Sequence, residues 1–171
     1  MVGVLAIRDS QFAAFREELR SIGYIDGRTV QLEGRSARGN LDRLPELAAE
    51  LVHLKVDVLV AVFTPAILAA RDSTSEIPIV MLDVGDPVGM GIVVSLAHPG
   101  GNITGTGGLA PFEAGKNLEL LKEVLPSLNR VAALCNALDP LFGSLSAANP
   151  ACWGGAEDRN RVVDGQGWRG A

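Results

Sequence analysis

The strongest constraint on the fold is the alternation of short β-branched runs with stretches of helical periodicity. Residues 56–62 and 77–82 are apolar, brief and bounded by turn-forming residues, the pattern of buried strands. Neither they nor any other apolar run is long enough to span a bilayer. Segment 77–105 shows the unit in full: an apolar strand, an Asp-Pro break, a helical stretch, a Pro-Gly-Gly turn and a short strand. Strands separated by helices pair in parallel through right-handed crossovers. The expected fold class is therefore α/β, a doubly wound parallel sheet with helices on both faces.

The first strand is expected over residues 2–7, followed by a helix capped by Asp9 or Ser10. Phe12, Phe15, Leu19 and Ile22 recur at helical spacing and supply its buried face. Gly23 and Gly27 end that helix and lead into a second strand at 28–33. Gly39 and Asn40 open the next helix, with Leu41, Leu44, Leu47, Leu51 and Leu54 along one side. After a third strand at 57–63, Thr64-Pro65 starts a helix running to about residue 74, with proline where a missing N–H costs nothing. Residues 78–83 form the fourth strand, 88–96 a helical stretch, and Ile103 lies in a fifth strand. A helix at 114–124 carries Leu118, Leu121 and Leu125 on its apolar side, and 130–135 makes a sixth strand.

Several functional classes fall away on composition. The net charge is −5 and the Lys and Arg residues are scattered, which argues against a nucleic-acid partner. Two cysteines and two histidines lie far apart, so no metal-ligand spacing exists and no metal or cofactor is expected. Gly3 is the only glycine near the first strand, which removes the dinucleotide-binding turn. The glycines of segment 108–116 are separated by six residues, Pro111 interrupts it, and Asn117 stands where a phosphate loop needs Ser or Thr. The glycine-rich segment 100–108 reads as a tight loop. His53 reads as a surface or boundary residue and His98 as part of a turn, and no catalytic pair stands out.

In open parallel sheets, ligands bind beyond the carboxyl ends of the strands, where the winding reverses. The usual order 2-1-3-4-5 places Arg8-Asp9-Ser10 and Phe63-Thr64-Pro65-Ala66 at the mouth, with residues 83–86 beside them. The helix after Thr64 would aim free N–H groups and its positive dipole end at a carboxylate, and the Thr64 hydroxyl could add a bond. Asp83 and Asp86 could hold an ammonium group, so the set suits an amino acid zwitterion. Each residue also has a plain structural role: Thr64 as a cap, Asp86 before Pro87 as a turn starter, Asp83 as the end of a strand.

Six short motifs occur in a characteristic order: Phe15-Arg16 with Leu19; Gly23-Tyr24-Ile25-Asp26-Gly27; Leu41-Asp42-Arg43-Leu44-Pro45; Thr64-Pro65-Ala66; Gly85-Asp86-Pro87-Val88; and Pro99-Gly100-Gly101-Asn102-Ile103-Thr104-Gly105. On these the chain resembles the substrate-binding proteins of ABC-type importers, in the family that includes tryptophan and tyrosine binders, from about residue 15 to 139. The resemblance implies one lobe of a type I periplasmic-binding-protein fold. It also implies no catalysis, and delivery of a small polar ligand to a permease driven by an ATPase subunit, with the membrane reached only through that permease. By that analogy Ser10, Thr64, Pro65, Ala66 and Asp86 line the first-lobe wall and Asn136 faces the cleft where the second lobe begins; Asp9, Asp83 and Gly85, at the same strand ends, complete the expected ligand-binding set.

The organisation expected is a first lobe at 1–128, the start of a second at 129–150, and an irregular tail at 151–171. That tail holds both tryptophans and no periodicity, the signature expected of a reading-frame slip near Asn149-Pro150. The family is extracytoplasmic. No export signal is read at the start of this sequence, so as written it is expected in the cytoplasm, where a Cys135–Cys152 disulfide is not. The link between the first strand and Phe15 is short for the family, and a lone lobe is expected to bind weakly and to associate. Two other readings keep the fold: a cytoplasmic ligand-sensing module, which needs a DNA-binding or output segment, and a small enzyme, which has only Asp9, Asp83 and Asp86 to work with.

Overall fold

In the computed structural model, which describes residues 1–6, 8–108, 110–128, 130–131, 141 and 163–164, the chain divides into two units, Met1–Gly108 and Leu109–Ala171. The first unit holds β1 (Val2–Ala6), β2 (Leu32–Ser36), β3 (Val58–Val62), β4 (Ile79–Val84) and β5 (Ile103–Gly107). All neighbouring pairs are parallel and the order is β2-β1-β3-β4-β5, as the alternation predicts. The winding reverses between β1 and β3.

Side-chain alternation sends the strands' apolar residues to two layers. Leu5, Leu59, Ala61, Ile79 and Met81 pack with Leu44, Leu47 and Leu51 of α2 (Leu44–His53) and with Ala66, Ile67 and Ala70 of α3 (Thr64–Ser73). Val4, Ala6 and Val60 face the other way, under Phe12 and Phe15 of α1 (Asp9–Ser21). Helices therefore cover both faces. A Cβ on Gly34 would stand 2.8 Å from the Phe12 ring, so the missing side chain in β2 lets α1 settle on the sheet.

The helix ends follow local chemistry. Gly23, at φ 94°, donates to the Arg20 carbonyl while Tyr24 donates to that of Leu19, the paired bonds of a Schellman stop. The next residues form a tight turn, because the Thr29 hydroxyl accepts the Ile25 N–H at 2.7 Å and Asp26 Oδ1 accepts the Leu32 N–H at 2.9 Å. The second strand therefore starts at Leu32, four residues later than the expected 28–33. Of the leucine stripe, Leu44, Leu47 and Leu51 are buried. Leu41 sits in a separate 3₁₀ turn and Leu54 caps the helix, so both are exposed. Ile22 is 66% exposed for the same reason, since it follows the last turn of α1.

Residues 88–96 are not helical. Asp86 Oδ1 accepts the Gly89 N–H at 2.9 Å, Ile92 and Val93 both donate to the Pro87 carbonyl, and Gly91 at φ 64° breaks any helical path. The result is a folded turn that buries Ile92 and Val93. The glycine-rich stretch is largely strand: a Cβ on Gly105 would collide with the Met81 carbonyl, so glycine lets β5 lie against β4.

In the second unit α4 spans Ala110–Val124, starting four residues earlier than expected. Leu121 and Leu125, expected on its apolar side, are exposed, and Leu118 is half-buried. β6 (Arg130–Val131) pairs antiparallel with β7 (Val163–Asp164) in a two-stranded sheet. β7 lies within the segment expected to be irregular. Residues 132–135 of the expected sixth strand, Cys135, Asn136, Cys152 and both tryptophans lie outside the described residues. Among the described residues no helix is long and apolar enough to cross a membrane.

Candidate functional site

The carboxyl ends of β1, β3 and β4 bring together the segments the topology argument selects. Arg8, extended at φ −129° and ψ 144°, is the N-cap of α1. Its N–H is held by Gln11 Oε1 at 3.1 Å and its carbonyl by the Gln11 N–H at 3.2 Å. Asp9 and Ser10 are thus the first helical residues and not caps. Both are exposed, and Asp9 Oδ2 stands 3.4 Å from Arg38 Nε at the end of β2. This pair is open to solvent and contributes little to stability.

At the end of β3 the cap of α3 is Phe63, not Thr64, and it holds an unusual backbone. Its φ is 69°, a region in which bulky residues are rarely found. The Phe63 N–H donates to the Leu82 carbonyl at 3.0 Å, and its own carbonyl accepts from both Ala66 and Ile67 at 3.1 Å. Pro65 has no N–H and Ala66 is engaged, so among the described residues Thr64 supplies the free amide of the first turn. Thr64 itself is 5% exposed, and its hydroxyl makes no hydrogen bond among the described residues. Ala66 is fully buried in the core, which leaves only its backbone to line a wall.

At the end of β4, Asp83 is exposed with φ 57°, inside a register shift between Met81 and Val84. The bulge turns its carboxylate position out of the ladder. Gly85 follows half-buried, and Asp86 is nearly buried with one carboxylate oxygen engaged on the Gly89 N–H. Its turn-building role is therefore real. Asn136 lies outside the described residues.

The site has a simple electrostatic layout: an amide and hydroxyl at the positive end of α3, an exposed carboxylate at Asp83, and an exposed guanidinium at Arg8. The Arg8 Cζ lies 5.9 Å from the centre of the Phe63 ring. Arg8 and Phe63 were placed at the mouth by topology, but neither was expected as a contact; no periodicity signals the left-handed backbone that aims Phe63. Among the described residues no group of three or more His, Cys, Asp or Glu could hold a metal ion. His53 Nδ1 lies 2.9 Å from the Ala49 carbonyl on the surface of α2, and the His98 N–H donates to Ser95 Oγ in a turn.

Comparison with known proteins gives one consistent result. The family described as ABC transporter substrate binding protein matches residues 6–140. A tyrosine-binding protein of Clostridioides difficile (strain R20291) is 34% identical over 128 residues, 75% of this chain and 36% of the relative. Among solved structures, the ABC domain in complex with L-Trp from Streptococcus pneumoniae has a TM-score of 0.69 at 25% identity, covering 87% of this chain and 52% of that one. A conserved domain protein from Vibrio cholerae O1 biovar El Tor scores 0.69 at 31% identity, with 87% and 53% covered. The chain thus spans about a third of the curated relative and about half of each solved one.

Proposed function

The chain belongs to the ABC transporter substrate-binding protein family, and from that premise we propose that Met1–Gly108 supplies one wall of a cleft that captures a small polar solute, an amino acid. The observation that carries the reading is the pair of left-handed non-glycine residues, Phe63 and Asp83, on neighbouring strand ends around the open Thr64 amide and hydroxyl. Backbone held in so sparse a region is a cost that clusters at ligand sites. In this assignment the Thr64 N–H, its hydroxyl and the α3 dipole receive the carboxylate, and Asp83 receives the ammonium group. Ser10, Pro65, the Ala66 backbone and Gly85 shape the wall, Asp9 holds Arg38 beside it, and Asp86 frames it from the turn.

The ligand class follows from the relatives named for tyrosine and bound to L-Trp, and from donors and an acceptor that suit a zwitterion. We place the first lobe at 1–128 and the start of the second at 129–150. The units part at Gly108, but α4 completes the strand–helix alternation of the first lobe. Asn136, the residue expected to contribute from the second lobe, lies outside the described residues, and closure in such a fold is a hinge motion. The wider assignment is a non-enzymatic, extracytoplasmic importer component that hands its ligand to a permease and ATPase subunit.

Titration of labelled protein with L-tryptophan and L-tyrosine, followed by amide NMR, tests this. The expected result is saturable shifts centred on Thr64, Asp83 and Gly85, with a Kd near 1 mM, about −4 kcal/mol, for a single wall. No saturable shift at those amides with either amino acid rejects the reading.

A further inference from the structure

We infer that Arg8 determines the charge of the ligand this wall accepts: its guanidinium, laid over Phe63, takes a carboxylate. The inference rests on the mouth being the ligand site and goes beyond the Thr64 and Asp83 roles assigned above. Only residues 7 and 8 separate β1 from α1, so Arg8 has little freedom of placement. Both hydrogen-bonding groups of its main chain are held by Gln11. Phe63 is anchored as firmly, by the bond from its N–H to Leu82 and by the two bonds its carbonyl accepts.

Register brings Arg8 to the right place. Leu5 pairs with Ala61 across β1 and β3, and Arg8 and Thr64 each lie three residues further on. The guanidinium sits 5.9 Å from the Phe63 ring centre, and Phe63 is the residue before Thr64. A guanidinium held over a ring keeps its in-plane N–H donors open, the edge that meets a carboxylate with two parallel bonds.

Charge accounting points the same way. Arg38 is paired with Asp9, and Arg35 with Glu33 and Glu50, while Arg8 forms no ion pair among the described residues. An exposed stack of this kind is weak by itself, so it orients the side chain and leaves its charge available. Neutral solutes of similar shape gain nothing from that charge. The wall therefore favours aromatic or aliphatic carboxylates over their amides and amines.

The test uses three probes on the whole chain: L-tryptophan, 3-indolepropionate, which lacks the amine, and tryptamine, which lacks the carboxylate. The Arg8 Nε–Hε resonance is followed by NMR. It should shift saturably with both carboxylates and stay in place with tryptamine. Arg8→Met should weaken both carboxylates about tenfold, roughly 1.4 kcal/mol, and leave tryptamine unchanged. Arg8→Lys should restore part of the loss. The inference is overturned if neither carboxylate moves Arg8, or if Arg8→Met weakens all three probes alike or none. If 3-indolepropionate moves Arg8 but L-tryptophan does not bind, the amino acid reading falls and the role of Arg8 stands.

Discussion

Asn102, in the Pro-Gly-Gly-Asn turn before β5, offers the sharpest test of how this sheet is held. Its Nδ2 donates to the Thr74 carbonyl at 3.2 Å and the Ile77 carbonyl at 2.8 Å, and its main-chain carbonyl accepts the Ile79 N–H at 2.7 Å. The side chain thus ties this turn to the exit of α3 and the start of β4, while the main chain sets β5 beside β4. Asn102→Ala removes both donors. At about 1 kcal/mol net per bond, the loss is about 2 kcal/mol. For a domain near 100 residues that lowers Tm by about 10 °C. Asn102→Asp keeps the shape but aims a carboxylate at two carbonyl oxygens, so it should cost about 3 kcal/mol, more than alanine. Protonating that carboxyl makes it a donor, so its folded pKa is raised. Stability should then rise as pH falls through that raised value and level off below the ordinary carboxylate value near 4. Urea unfolding followed by circular dichroism measures all three effects. The reasoning fails if the aspartate variant is as stable as the alanine variant at neutral pH, or if the alanine variant unfolds within about 0.5 kcal/mol of the parent.

Three further predictions follow from individual residues. Ile67 is fully buried between α3 and the sheet, so Ile67→Ala should cost about 3–4 kcal/mol through lost burial and a cavity; a loss under about 1 kcal/mol by denaturant titration contradicts the packing. Lys55 holds φ 53° just past the cap of α2, where glycine is unstrained, so Lys55→Gly should raise stability by about 0.5–1 kcal/mol, and a lower Tm would refute it. Asp83→Asn tolerates the same backbone and removes the charge, so folding should change by less than about 0.5 kcal/mol. L-tryptophan and tryptamine should then bind about fivefold more weakly and 3-indolepropionate unchanged; equal effects on all three probes would remove Asp83 from the ammonium role.

Much of the parallel sheet was legible because its signals are local. A β-branched run between turn residues reads as a strand whatever surrounds it, and the runs at β1, β3 and β4 were found within one or two residues. The misplaced elements are those whose local pattern is ambiguous. β2 starts later than its apolar pattern suggests because the hydroxyl of Thr29 and the carboxylate of Asp26 fold residues 25–30 into a turn. Residues 88–96 look helical by composition, yet Asp86 and Gly91 bend them into turns. In the site, Thr64 and Asp83 could be named from strand ends. Arg8 and Phe63 were in view but had no signal marking them as a stacked pair.

The order of apolar runs, glycines and prolines was enough to dictate an α/β layer with parallel pairing, the reversal of winding between the first and third strands, and hence which loops face a ligand. Those properties follow from periodicity and chain handedness, which act over neighbouring residues. Tertiary structure alone decided which side chains meet there. The left-handed turns at Phe63 and Asp83, the burial of Thr64 and the placing of Arg8 over a ring depend on strand register and on bonds between distant segments. A residue's neighbours in space come from the packed sheet, and no local pattern carries that information.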